Sequence, residues 1–317
     1  MFFVFAACTA STPEVLSTWD DAGPDLEPGV RADDHGAGLG DLDPGFEGDT
    51  AEVSDGPACP SLGAPTAVGT LPRALDEVSG MVASRTHPGV LWVLEDSGNA
   101  AELYALYIDG SLLATVRLPV PNVDWEDLAI APCGDIDCLW IADVGDNGLV
   151  RTDAALYVVA EPEPEDGAAE LLSALPVRYV DGPHNVEALV IDADGAPTLL
   201  SKRDDGTTEV LVLRDGRFGV TAQVQVAAPG DDAWSSRVTA ADLWADEGGL
   251  LLRTYAHAWR YELDGDSLAG LADAPRTELR AADQEQVEAV AWDPTIGGWW
   301  QTSEGVGATL YFATCEA

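Results

Sequence analysis

The chain has 317 residues, 46% of them hydrophobic, with near-zero mean hydropathy, so it is a water-soluble globular protein of one large or two ordinary domains. A formal net charge of −41, from 56 acidic against 15 basic residues, repels phosphate backbones and anionic lipid head groups and argues against nucleic acid as a partner.

Residues 1–8 form an apolar run ending Ala6-Ala7-Cys8. This resembles the end of a bacterial lipoprotein signal, truncated because the usual basic start is missing; a stray apolar N-terminus is the plain alternative. The run is too short to span a bilayer, so the expected membrane attachment is a lipid anchor at Cys8. Residues 9–58 are rich in Asp, Glu, Gly and Pro, as in Gly40-Asp41-Leu42-Asp43-Pro44, and read as a disordered acidic linker.

From Cys59 onward, short runs rich in Val, Leu, Tyr and Trp alternate with Gly, Asp, Asn and Pro turns, an all-β signature. The runs repeat. Val78-Ser79-Gly80-Met81-Val82, Trp125-Glu126-Asp127-Leu128-Ala129, Val186-Glu187-Ala188-Leu189-Val190, Val238-Thr239-Ala240-Ala241-Asp242 and Val287-Glu288-Ala289-Val290-Ala291 share one pattern at intervals of 47, 61, 52 and 49 residues. That is the period of a four-stranded propeller blade.

Second and third strands follow each segment, as in Leu91-Trp92-Val93 and Leu103-Tyr104-Ala105-Leu106. Fourth strands are expected at 113–118, 177–180, 223–226 and 276–279. The last repeat has only three, and residues 65–71 supply its missing outer strand and close the ring. The predicted fold is a β-propeller over residues 59–317, with five four-stranded blades; six is the alternative, because the 61-residue interval has room for irregular strands.

Excluding Cys8, four cysteines remain. Their even number suits two disulfides in an oxidising compartment, Cys59 with Cys315 pinning the ends and Cys133 with Cys138 closing a hairpin tip; four free thiols is the alternative.

The innermost strand of each blade runs beside the axis, so one register position converges there, held by Ser79, Glu126, Glu187, Thr239 and Glu288. Three carboxylates in a narrow channel repel unless protonated or neutralised by a cation. Oxygen ligands without His or Cys favour Ca²⁺. The alternative is that the glutamates merely face solvent in a wide funnel.

This register of Ser, Glu, Glu, hydroxyl and Glu resembles the five-bladed calcium-activated nucleotidases, or apyrases, in which a central Ca²⁺ organises nucleotide hydrolysis. Segments such as Asp124-Trp125-Glu126-Asp127-Leu128-Ala129 are also similar to bacterial propeller lipoproteins and the secreted esterase-like phytase group. The likeness spans most of residues 60–317 through short motifs. It implies a metal-dependent hydrolase of a phosphate-containing or ester substrate.

Loops after the second strands should surround the metal. Asp96 and Asp146 there are candidate proton acceptors, and Lys202 and Arg203 candidate anion holders, although Asp-Ser-Gly-Asn and Gly-Asp-Asn also make ordinary turns. Lys202 is the sole lysine. The expectation is therefore a cell-envelope or secreted, Ca²⁺-binding hydrolase with a small-molecule or surface ligand in its funnel. A closed ring leaves no strand edge requiring a partner, so a monomer is expected. The rival readings are a non-catalytic surface binding module with a structural cation, and a metal-free scaffold.

Overall fold

The computed structural model describes Cys59 and residues 61–192, 194–244, 249–263 and 268–316. Cys8, the proposed signal and the acidic linker of residues 9–58 lie outside the described residues. Two short strands come first, β1 (Ser61–Leu62) and β2 (Thr66–Thr70). Blade 1 follows with β3 (Val78–Ala83), β4 (Val90–Glu95), β5 (Glu102–Tyr107) and β6 (Leu112–Arg117). Blade 2 holds β7 (Trp125–Cys133), β8 (Ile136–Asp143) and β9 (Ala155–Ala160); the chain then adds β10 (Gly167–Ala168) in parallel to β6 of blade 1 before β11 (Leu171–Pro176) completes blade 2.

Blade 3 comprises β12 (Val186–Ile191), β13 (Pro197–Ser201), β14 (Thr207–Arg214) and β15 (Arg217–Gln225). Blade 4 comprises β16 (Val238–Trp244), β17 (Gly249–Thr254), β18 (Ala258–Glu262) and β19 (Arg276–Leu279). Blade 5 has β20 (Val287–Asp293), β21 (Gly298–Ser303) and β22 (Thr309–Glu316), with β2 and β1 both paired antiparallel to β22 from outside. The ring is thus five blades, closed as expected by strand exchange between the two ends of the domain.

The 61-residue interval contains β10, β11 and their connections, and no sixth blade. The fourth strand of blade 2 is Leu171–Pro176, not 177–180 as expected. Val177 is buried between blades 2 and 3, and Tyr179 forms only an isolated bridge to Phe218. Among the described residues the one helical turn is Leu268–Gly270, and no helix is long and apolar enough to cross a membrane.

Inner strands read as continuous apolar runs because both of their faces are covered by neighbouring blades. Alternate residues of a strand serve different cores. In β4, Trp92 and Leu94 pack toward Trp125 and Ile141 of blade 2, whereas Leu91 and Val93 pack toward Trp300 and Leu310 of blade 5. In β12, Leu189 and Ile191 face blade 2 while Ala188 and Val190 face blade 4. Buried carboxylates staple neighbouring blades: Asp127 accepts from the backbone N–H of Leu128 and of Leu189 in blade 3, and Asp242 from Leu243 and from Trp292 in blade 5.

Both expected disulfides are formed, Cys59–Cys315 and Cys133–Cys138, as an oxidising, extracytoplasmic compartment permits. The first joins residues 256 apart in sequence at the seam of the ring. Replacing both of these cysteines by alanine should destabilise the domain by about 2–5 kcal/mol and lower the melting temperature. An unchanged melting temperature would mean that strand pairing alone holds the seam.

Candidate functional site

Every inner strand carries a register shift at the same place. The shift falls between Val78 and Gly80, Trp125 and Asp127, Val186 and Ala188, Val238 and Ala240, and Val287 and Ala289. The unpaired residues in the five shifts are Ser79, Glu126, Glu187, Thr239 and Glu288. A bulge releases one residue from the ladder and re-aims its side chain. All five are buried, none more than 5% exposed.

The five do not act alike. Ser79 Oγ donates to the Trp125 carbonyl at 2.9 Å and Thr239 Oγ1 to the Val287 carbonyl at 2.7 Å, so the two hydroxyls tie adjacent inner strands together. Their protons are thereby committed, and only lone pairs remain for a cation.

A second register position joins the same end of the axis. The first residue after each second strand is Asp96, Val144, Lys202, Tyr255 or Glu304. Each donates its backbone N–H to the residue just before the neighbouring inner strand: Glu77, Asp124, Asn185, Arg237 or Gln286. This repeated bond brings the loops to the bulges, as the topology argument anticipated.

On one side of the axis the acids have an internal cation. Lys202 Nζ lies 2.8 Å from Glu187 Oε2 and 4.0 Å from Glu288 Oε1. Burial works against the ammonium, but the two carboxylates outweigh it and hold the lysine above its usual range. Tyr255 donates its hydroxyl to Glu288, and Asn185 donates to Glu187 Oε1 at 2.9 Å.

Glu126, hydrogen-bonded to Glu187 and within the field of Lys202, belongs to a second group of acids that has no ion pair among the described residues. Carboxylate oxygens of Asp96, Asp124 and Glu126 lie within 4.8 Å of one another. Burial raises Glu126 well above the carboxylate range, reinforced by the charges of Glu187 and Asp96. Asp96 is pushed up to about 6 by burial, with Asp124 and Glu288 adding to it. Burial, then repulsion from Glu288, takes Glu304 to about 8, and burial lifts Glu187 to about 7 against the pull of Lys202.

The backbone is shaped around this trio. A Cβ on Gly145 would stand 2.0 Å from Glu126 Oε1 and 2.6 Å from Asp124 Cγ, so any side chain there would push both carboxylates out of place. Arg151 donates to the Gly145 carbonyl at 2.9 Å and to Asp143 Oδ1 at 2.7 Å, and Asp143 accepts from the Asp124 N–H at 3.0 Å. Asn122 donates to the carbonyls of Glu95 and Asp96, both at 2.9 Å. Three clustered anionic oxygens with no nitrogen or sulfur donor suit a hard divalent cation such as Ca²⁺.

Two expected site residues are occupied elsewhere. Asp146 spends both oxygens on its own loop, accepting from Val150 N–H at 2.9 Å and Arg151 N–H at 2.7 Å. Arg203 is engaged with Asp205 and Glu209. Asp124, Tyr255 and Glu304 were missed as site residues. Tyr255 and Glu304 share the register position of Asp96 and Lys202, and Asp124 stands directly before the inner strand of blade 2.

The sequence matches no protein-family model and no curated protein. Similar solved structures include the PQQ-bound aldose sugar dehydrogenase of Streptomyces coelicolor, at 12% identity, 82% coverage of this chain, 100% of that one and a TM-score of 0.49. The soluble aldose sugar dehydrogenase of Escherichia coli, in its apo form, has 10% identity, 81% and 100% coverage and a TM-score of 0.49. A glucose dehydrogenase has 11% identity, 80% and 100% coverage and a TM-score of 0.50. At these identities the likeness extends to the propeller fold alone.

The raised carboxylates fix a pH dependence. They hold protons in the folded state that the unfolded chain has already released, so their contribution to stability is fully present below the unfolded carboxylate range and is lost as pH rises through the folded values. Lys202 stays charged throughout. Metal-free protein should therefore melt lower at pH 8 than at pH 5, and saturating Ca²⁺ should remove most of that difference. A flat melting profile in EGTA across this window would sink the idea of an uncompensated axial cluster.

Proposed function

We propose that this chain is an extracytoplasmic Ca²⁺-binding β-propeller that hydrolyses a small phosphate-containing or ester substrate at the mouth of its axis, held at the cell envelope by a lipid on Cys8. The observation that supports this reading is the convergence of Asp96, Asp124 and Glu126 beside an ion pair, Lys202 with Glu187, that already uses the site's internal cation. Removing charge repulsion there takes either protons or a cation, and at neutral pH a cation does so without giving up ligand oxygens.

A bound Ca²⁺ would supply polarisation of a substrate oxygen or a water. The chain's own residues do the rest. Asp96, Asp124 and Glu126 hold the cation, and Gly145 leaves space for their oxygens. Glu304, whose carboxyl is raised to about 8 by burial and Glu288 in the metal-free protein, is the candidate to deliver a proton to a leaving oxygen. Lys202 fixes Glu187 and Glu288 and keeps one positive charge at the mouth.

A second reading, a non-catalytic binding module with a structural cation, is favoured by the engagement of Asp146 and Arg203 in their own loops. Activity separates the two. Glu126→Gln should weaken Ca²⁺ binding more than about tenfold and abolish Ca²⁺-dependent hydrolysis of nitrophenyl phosphates and esters, while Arg203→Gln leaves binding intact. Tight, stoichiometric Ca²⁺ with no turnover across broad substrate screens would decide for the binding module. Absence of any bound metal by mass spectrometry would remove both readings.

A further inference from the structure

A cavity of ≈ 400 Å³ crosses the end of blade 3 beside the axis, from Leu149 in the loop after β8 to Arg237 at the entry to blade 4. Lys202, Arg203 and Arg237 on its walls outnumber Asp204 and Glu209, leaving one net positive charge, His184 apart, in a chain of net charge −41. By contrast, the charged wall of the cavity lined by Trp234 and Tyr255 is Glu285 alone.

Arg237 is the cation there with donors to spare. Its Nε donates to Asp204 Oδ1 at 2.6 Å, and its guanidinium carbon stands 5.0 Å from the centre of the Trp234 ring, so the group is held from two sides. Nη1 and Nη2 make no hydrogen bond among the described residues, and they stay open to water on a side chain that is 29% exposed. Arg203 instead commits Nε, Nη1 and Nη2 to Asp205 and Glu209. The anion-holding role expected of Arg203 therefore falls to Arg237.

The opposite end is apolar. Leu149 is 53% exposed and has a φ of 51°, in the left-handed region that a leucine seldom occupies. Its loop is fixed by bonds from the N–H groups of Leu149, Val150 and Arg151 to Asp146, so the exposed side chain is rigidly presented. Neither the backbone conformation nor the exposure favours the fold, and Pro183 extends the same wall.

We infer that this cavity binds a small organic monocarboxylate, with its carboxylate on the Nη edge of Arg237 and its apolar body against Leu149 and Pro183. Two parallel N–H groups of a planar guanidinium match the two oxygens of a carboxylate. One excess positive charge suits a singly charged group, whereas a phosphate dianion would meet added repulsion from Asp204 and Glu209. The cavity touches the axial cluster through Lys202 only, and neither Arg237 nor Leu149 takes part in holding the cation or moving a proton there. The site stands independently of the axial metal reading.

The test is calorimetric titration of the full chain with sodium hexanoate, sodium acetate and inorganic phosphate against chloride at matched ionic strength, in Ca²⁺ and again in EGTA. Hexanoate should bind saturably, one per chain, in both buffers and tighter than acetate or phosphate. Arg237→Gln should weaken it about tenfold or more. Leu149→Gly should weaken it about fivefold, toward the acetate level, while the ligand-free melting temperature holds or rises, a pairing that loss of structure does not imitate. Binding that vanishes in EGTA would put the carboxylate on the axial cation and overturn the assignment. So would the absence of saturable hexanoate binding, binding unchanged in either variant, or phosphate bound as tightly as hexanoate.

Discussion

Electrostatic repulsion at the axis is the constraint on which the rest of this molecule depends. Five inner strands bulge at one register position and so press three glutamates toward a common line, where second-strand loops add Asp96 and Glu304. One lysine cannot balance that collection. The fold answers asymmetrically: Lys202 and Tyr255 stabilise Glu187 and Glu288 directly, and Glu126, with Asp96 and Asp124 beside it, has no ion-pair partner of its own among the described residues. Gly145, Asn122 and the Arg151–Asp143 pair make sense as parts of the rigid frame that holds this second group together, since preorganised oxygens need a supporting shell.

The same rings explain why the hydroxyl positions differ from the acidic ones. Ser79 and Thr239 close hydrogen bonds to the carbonyls that precede Glu126 and Glu288, so each hydroxyl fixes the strand bearing the next acid. They contribute to the site through backbone placement. Propellers support many chemistries on one scaffold, so any activity lies in these side chains and not in the architecture.

Much of the fold could be read from the chain because inner and second strands are buried on both faces and therefore write strong apolar signals at a fixed interval. The axial glutamates fell out of the same alignment. Outer strands write weak signals: Leu171–Pro176 is mostly exposed, and the apolar residues just after it, Val177 and Val180, drew attention instead. Loop residues were harder still. Asp96 and Asp146 occupy similar turn sequences, yet one reaches the axis and the other caps its own loop, a distinction made by backbone direction and not by composition. Asp124 was visible in the repeat but its convergence with Asp96 comes from neighbouring blades.

Closure of blade 5 has a temporal consequence. Its outer strands, Ser61–Leu62 and Thr66–Thr70, are synthesised long before Thr309–Glu316, against which they pair. Until the last strand emerges, blades 1 to 4 lack the wall that covers Leu91 and Val93 on one side and Ala240 and Leu251 on the other. A nascent chain crossing a membrane must therefore keep apolar surface shielded by other means for nearly the whole of its translocation, and joint oxidation of Cys59 and Cys315 by the thiol oxidants of the oxidising compartment marks the moment at which assembly is complete.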